Sequence, residues 1–543
     1  MSFKRRIYFR LLTFVQYQYI LKQMLFVRTG IIIFLFIRGW MFFASNNAES
    51  PVTIQKSLLP DSLTQGKQLA LKYCTSCHFF PEPSLLDKKT WTDKVLPNMG
   101  WRLGIRKKGD DPYADIVPEE RALIQKLNIY PDVATITQSD WKKIIAYFEH
   151  EAPEEPLPQQ NHDSISGMLA LFSPKQIVFD DKQLPRTTML KFDSASNELY
   201  AGDGESKLYI LNNNFGFKSA WNVESPPVDI DFPNSEPPRL LMVGSVSPSD
   251  QKNGRLVTFD TTFTIQNPPV NIDHLPRPVQ FAHADLDMDG KQDAIVCGFG
   301  NNTGKLAWYS DCKIDGENIL SNMPGARKVE IGDFNKDGKP DIMVLMAQAR
   351  EEVVIWYNQG KGKFKEKKLL RFPPVFGVSY FELADFNKDG YPDILLTNGD
   401  NWDYSRINKN YHGVRIYLND GKYNFKEHWF FPLYGASKAI ARDFDNDGDI
   451  DIAAISFYNT LENPANGFVY FSNEGNLDFK PASLPDAAAG KWLTMEAADF
   501  DHDGDIDIVL GSYFHNIEEM SSLVNIVNIS SFPQLLVLNN ETQ

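Results

Sequence analysis

The sequence predicts a multidomain chain in which a small all-α domain is followed by an all-β seven-bladed propeller. Three observations carry this. A Cys74-Thr75-Ser76-Cys77-His78 motif sits between two amphipathic helical patterns. A nine-residue Asp-rich segment recurs five times downstream, its first aspartates 48, 52, 58 and 56 residues apart. Each copy runs straight into short apolar stretches of strand length. A period near 50 marks a propeller or solenoid, and 543 residues accommodate two or three domains.

The N-terminal segment, residues 1–45, is charged and then apolar. Residues 1–44 hold seven Lys or Arg and no acid, which leaves −22 on the remainder of a chain of net charge −15. The apolar stretch Gly30–Ile37 and Gly39–Ala44, interrupted by Arg38, follows a basic flank in the manner of an export signal. It is shorter than the roughly 20 residues a spanning helix needs. A cleaved signal peptide and a retained membrane anchor both satisfy it, with Met1 or Met24 as the start. Lys4, Arg5, Arg6, Arg10 and Arg28 would hold this end in the cytoplasm. Everything after it is then expected outside, in the periplasm or at the cell surface. The acidity of that part argues against a nucleic-acid partner.

Residues 55–152 form the predicted helical domain. C-x-x-C-H is the attachment signature of c-type haem, with Cys74 and Cys77 as thioether sites and His78 as the proximal iron ligand. Zinc would need further Cys or His ligands nearby, and 79–149 contain neither. Residues 65–73 read as an amphipathic helix entering the motif, and 139–148 as an aromatic helix with an N-cap at its start. On these features the segment resembles a class I cytochrome c. The resemblance implies a downstream methionine as sixth ligand. Met99, 21 residues after His78 in the turn-like Leu96-Pro97-Asn98-Met99-Gly100, fits that role, and His150 competes for it. A filled sixth position favours electron transfer. Residues 153–170 are Pro-rich and polar, the composition of a semi-rigid linker.

Residues 171–543 hold the repeats. The aspartate loops are Asp285, Asp287, Asp289, Asp293; Asp333, Asn335, Asp337, Asp341; Asp385, Asn387, Asp389, Asp393; Asp443, Asp445, Asp447, Asp451; and Asp499, Asp501, Asp503, Asp507. Oxygens at positions 1, 3, 5 and 9 around a Gly at position 6, with a backbone carbonyl at position 7, suit calcium. An EF-hand is excluded, because position 12 is Val296, Val344, Leu396, Ala454 or Leu510 rather than Glu. The 18 carboxylates in these positions would repel one another without cations, and five Ca²⁺ would offset them. Two worn copies, at Leu190–Asp193 and Asp229–Phe232, raise the count of blades to seven. Gln176–Asp180 stands alone before the first blade and is expected to complete the last, removing an open edge. The five near-identical copies resemble the FG-GAP or VCBS-type repeats also seen in integrin heads.

These features suggest a cell-envelope electron carrier whose calcium-stabilised propeller docks to a redox partner, a glycan or a surface protein. Two other readings stay open. One is a redox enzyme, quinone-dependent on sugars or alcohols or acting on polysaccharide, that reduces its own haem. The other is an adhesion or scaffold module with a haem sensor. No catalytic set is legible. His283, His412, His428, His502 and His515 are scattered, with surface or loop placement expected for His283 and His502. Asn401-Trp402-Asp403-Tyr404 lies in a longer insertion that could line a binding face. Cys297 and Cys312 are either two buried thiols or a disulfide.

Overall fold

The computed structural model describes residues 61–114, 116–180, 184–233, 237–259, 269–401, 404–527 and 532–542. The basic, apolar segment 1–45 and the start of the helical domain lie outside these residues. No helix among the described residues is long and apolar enough to cross a membrane.

The helical lobe contains α1 (Asp61–Cys74), α2 (Leu96–Arg102), α3 (Pro118–Lys126) and α4 (Gln138–Glu151). Both predicted helices are present and longer than the sequence suggests. The cap of α4 is Thr137, whose side chain accepts a hydrogen bond from Asp140 N at 3.0 Å. α1 and α4 cross closely: a Cβ on Gly66 would lie 2.3 Å from the Lys143 carbonyl oxygen. Trp91, Trp141, Ile144, Tyr147 and Phe148 fill the core between them.

The predicted turn around Met99 is not a turn. A helical run starts at Lys88–Thr90 behind the Asp87 cap, widens to a π turn over Trp91–Val95 and continues as α2. Pro97 follows the π turn directly, in the first turn of α2.

Seven four-stranded antiparallel sheets form the propeller. They are β2–β5 (residues 187–222), β6–β9 (227–275), β10–β13 (278–321), β14–β17 (326–371), β18–β21 (378–432), β22–β25 (436–482), and β26–β28 (492–540) with β1 (Phe172–Ile177). β1 pairs with β28 (Leu535–Asn540) as the outermost strand of the last blade, so the N-terminal strand closes the ring as expected. It lies over 172–177 rather than 176–180.

The first strand of every blade touches those of both neighbours, so seven first strands surround the axis. All seven junctions are tied there by a side chain bonding to the next blade's backbone. Thr188 donates to Pro227 O, Lys328 to Phe381 O and Lys438 to Met495 O. Asp229 accepts from Phe281 N, Gln280 from Val329 N, Glu382 from Ala441 N and Glu496 from Phe192 N. The second strands, such as Asp341–Met346 and Asp507–Ser512, are buried at every residue. They read as continuous apolar runs because both faces of each sheet are covered by neighbouring blades.

The antiparallel order fixes which loops share a face. First-to-second connections, which hold the Asp motifs, lie on one face; second-to-third and blade-to-blade connections lie on the other. The helical lobe rests on the second of these. Glu120 accepts from Ser249 Oγ at 2.6 Å and Asp250 N at 2.9 Å, and Arg102 donates to Asn302 Oδ1 at 2.9 Å. Val375, Ile407 and Tyr411 join the lobe's apolar core. The Pro-rich stretch is laid along the propeller: Ser166 N donates to Pro481 O, Leu169 N to Ser483 O, and His162 packs on Phe431.

Candidate functional site

Each Asp loop is shaped by its own carboxylates. In the first, Asp285 accepts from Asp289 N at 3.0 Å and Gly290 N at 2.9 Å, Asp287 from Asp289 N at 3.1 Å, and Asp289 from Lys291 N at 2.9 Å. The second and third loops repeat the pattern, with Asn335 and Asn387 replacing the second Asp. The glycines at position 6 have φ between 81 and 101°. A Cβ there would meet nothing within 4 Å, so backbone conformation and not space demands glycine.

This folding gathers ligand oxygens. Asp285, Asp287 and Asp289; Asp443, Asp445 and Asp451; and Asp499, Asp501 and Asp503 each bring three within 4.8 Å of one another. The donor set is all oxygen in a tight turn, which fits a hard divalent cation. Loops 333–341 and 385–393 supply two aspartates and an amide oxygen at the equivalent places.

The position-9 aspartates have a second role. Asp341, Asp393, Asp451 and Asp507 each accept from the position-2 N–H of their own loop and from the N–H of Asn358, Asn419, Asn473 or Asn540. Those asparagines end the third strands. Asn358 and Asn540 also donate to the Leu286 and Phe444 carbonyls of the preceding blade. They lock the loop rim. Burial pushes Asp393, Asp451 and Asp507 up to about 6. Asp505, read only as a backbone ligand, buries both carboxylate oxygens without partners; burial first, then Asp503 and Asp507, raises it to about 7.

The Cys–His motif closes α1. Thr75 and Ser76 hydroxyls donate to the Leu71 and Tyr73 carbonyls at 2.6 Å, ending the helix in a tight turn. Cys74 is half-buried and Cys77 exposed, both as free thiols. Burial, then Cys77, pushes the Cys74 thiol up to about 11, so it is not a poised thiolate. His78 Nδ1 lies 2.8 Å from the Phe79 carbonyl oxygen. The carbonyl only accepts, so Nδ1 carries the proton and Nε2 keeps its lone pair. Cys74 and Met99 are both partly buried against the same apolar core. His150 ends α4, exposed and bonded to Glu151 at 2.8 Å. The residue set fits haem c: two thiols one turn apart, an imidazole with a free Nε2, and a thioether on the shared apolar surface.

Several expectations change. His283 is not a surface or loop residue. It lies in β10 (Pro278–Ala284), its side chain 7% exposed, with Nδ1 2.7 Å from Asp231. His502 is exposed, as expected. Cys297 and Cys312 are buried free thiols, and the disulfide alternative is not formed. Trp402 and Asp403 lie outside the described residues; Asn401 is held by Lys409 Nζ at 3.0 Å, and Tyr404 is exposed.

The description "FG-GAP-like repeat" matches residues 285–344, 333–396 and 443–510, so the chain carries such repeats in these parts of its propeller. Human (Homo sapiens) integrin alpha-6 is 28% identical over 160 residues, 27% of this chain. The chain spans 14% of that relative's length. Solved structures similar to the chain include the N-terminal domain of Nup159 (10% identical, TM-score 0.41, 70% of this chain and 99% of that one). The Neurospora crassa Pan2 WD40 domain is also similar (10% identical, TM-score 0.40, 70% and 98%). The propeller assignment rests on the seven sheets themselves.

Proposed function

We propose that this chain is an exported electron-transfer protein of the cell envelope. Cys74 and Cys77 would hold haem c covalently, His78 and Met99 would offer ligand atoms to its iron, and the five Asp loops would hold calcium. The propeller docks the helical lobe to a protein or surface partner. The observation that supports the haem reading is the tethered His78: directly after two free thiols, its Nδ1 is committed to the Phe79 carbonyl and its Nε2 is left as a ligand. When bound, haem supplies one-electron exchange between ferric and ferrous iron.

The chain's own residues would hold and tune that group. Phe79 fixes the tautomer of His78, Met99 offers a thioether that raises the potential relative to a second imidazole, and the apolar core around Trp91 and Trp141 keeps water away. The likeness to integrin alpha-6 supports docking to a protein or surface and an extracytoplasmic setting.

The test is expression in a host that matures c-type cytochromes. Covalent haem is expected on the denatured chain, lost in Cys74→Ala/Cys77→Ala. Met99→Ala is expected to remove the sulfur-to-iron band at the red end of the spectrum while haem stays attached. A chain that emerges without covalent haem, where a control cytochrome is matured, overturns the reading.

A further inference from the structure

The outermost strand of the fourth blade, β17 (Phe364–Arg371), differs from its six counterparts. It holds Lys365, Lys367, Lys368 and Arg371. No other outermost strand holds more than one Lys or Arg. β1, β5 (Phe217–Asn222), β21 (Phe425–Pro432) and β25 (Phe479–Ala482) have one each, and β9 (Val270–Leu275) and β13 (Glu317–Ser321) have none. A lysine on an open edge protects a sheet from pairing with other chains, and the other blades do with one or none. The surplus on β17 extends into the flanking loops. From Arg350 to Arg371 there are seven Lys or Arg and three Glu, an excess of four positive charges in a chain of net charge −15.

Lys361, Lys363, Lys365, Lys368 and Arg371 are exposed. Lys361, Lys363 and Lys365 have no carboxylate partner among the described residues. Lys367 Nζ donates to the Lys422 and Tyr423 carbonyls at 3.2 and 3.0 Å. The other three cations converge on one acid: Arg350, Lys368 and Arg371 stand 3.9, 2.9 and 3.7 Å from Glu352, whose side chain is 6% exposed. One carboxylate cannot offset three cations, and the buried Nε of Arg350 has no acceptor. Glu351 is buried and accepts from Val378 N at 2.7 Å. The two ends of this basic strip differ. At one, a Cβ on Gly362 would lie 3.7 Å from Asp287 Cβ, so the acidic Asp-loop rim begins there. At the other, Arg371 lies over the Phe79 ring at 5.5 Å, and Phe79 directly follows His78.

We propose that this strip docks the acidic face of a redox partner protein and steers it to the lobe beside Cys74, Cys77 and His78. This landing place presumes the electron-transfer function proposed for the lobe, and it adds the partner's charge. Opposite charges guide the encounter and speed association, most of all at low salt. A protein with a local acidic patch can meet β17 alone. A flat anionic membrane or a long polyanion would run onto the Asp-loop rim beside Gly362, whose carboxylates repel it.

The test uses the full, calcium-loaded chain with plastocyanin, an acidic copper protein, as the probe. Binding to the redox-inert, zinc-substituted probe is read by calorimetry at low ionic strength. Oxidation of the reduced chain by the copper form is read by stopped flow. Lys361→Gln/Lys363→Gln/Lys365→Gln should weaken binding and slow oxidation about tenfold. Lys175→Gln/Lys218→Gln/Lys480→Gln, the same change of charge on other outermost strands, should alter neither. Oxidation by the cationic tris(phenanthroline)cobalt(III) should slow in neither variant. Absence of binding to the zinc form, equal loss in the two variants, or strip-dependent binding to phosphatidylserine vesicles in place of plastocyanin overturns the proposal. A chain that carries no covalent haem overturns the electron-transfer function and this proposal with it. A haem-bearing chain indifferent to the strip lysines overturns this proposal alone.

Discussion

Removing calcium from the intact chain should lower its melting temperature steeply, and the carboxylate geometry sets the scale. In three loops, three carboxylates bring their ligand atoms within 4.8 Å of one another. Two unit charges at that distance repel by about 1 kcal/mol even at the dielectric of bulk water. Three pairs make about 3 kcal/mol per loop, and three loops about 9 kcal/mol. That is comparable to the whole stability of an ordinary domain, about 5–15 kcal/mol. At about 2–4 °C per kcal/mol for domains of 150–250 residues, melting followed by near-ultraviolet circular dichroism should fall by on the order of 20 °C in EGTA. Excess calcium should restore it. Magnesium should restore much less, because it is smaller, demands near-ideal octahedral geometry and gives up its water reluctantly. A shift below about 3 °C, or equal rescue by magnesium, would show that the aspartates are held by hydrogen bonds alone and that the loops are solvated turns.

Four other outcomes follow from particular contacts. Gly66→Ala should cost the helical lobe about 1–3 kcal/mol, since the new methyl meets the Lys143 backbone and neither helix can yield cheaply; urea unfolding followed by tryptophan fluorescence reads this. Asn358→Ala strips two donors from the carbonyls of Leu286 and Pro340 and should destabilise by about 1–3 kcal/mol, with weaker calcium affinity in titration. Glu120→Ala removes the buried acceptor of Ser249 and Asp250 N, so limited proteolysis should cleave between lobe and propeller sooner. Burial, only partly offset by Lys191, raises Asp229 to about 6. A raised carboxyl costs stability above its folded pKa, and that cost is relieved as pH falls from about 6 to below 4. Asp229→Asn, which keeps an acceptor for Phe281 N, should therefore be the more stable form at pH 8 and converge with the wild type near pH 4. Identical melting–pH curves for the two proteins would refute this.

The sequence by itself determined the repeat. The nine-residue motif returning about every 50 residues, the glycine at position 6 and the apolar run behind each loop left little freedom, because ligand spacing, φ and strand burial are local properties of a few residues. Seven blades and ring closure by an N-terminal strand followed from that count. The C-x-x-C-H motif and its flanking helices were legible for the same reason.

What the tertiary structure decided lies between elements distant in the chain. The inter-blade belt uses Thr, Asp, Gln, Lys and Glu at equivalent places. Any side chain long and polar enough serves there, so no residue type marks it. His283 looked like a loop residue because it stands two positions before Asp285, yet its partner Asp231 belongs to another blade. Met99 looked like a turn residue because Pro97 and Gly100 surround it, but Pro97 falls in the first turn of a helix that a π turn prepares. Phe192 N and the Glu496 carboxylate meet across more than 300 residues of sequence. Only the closing of the ring brings them together, because a propeller converts positions one blade apart in sequence into neighbours around a single axis.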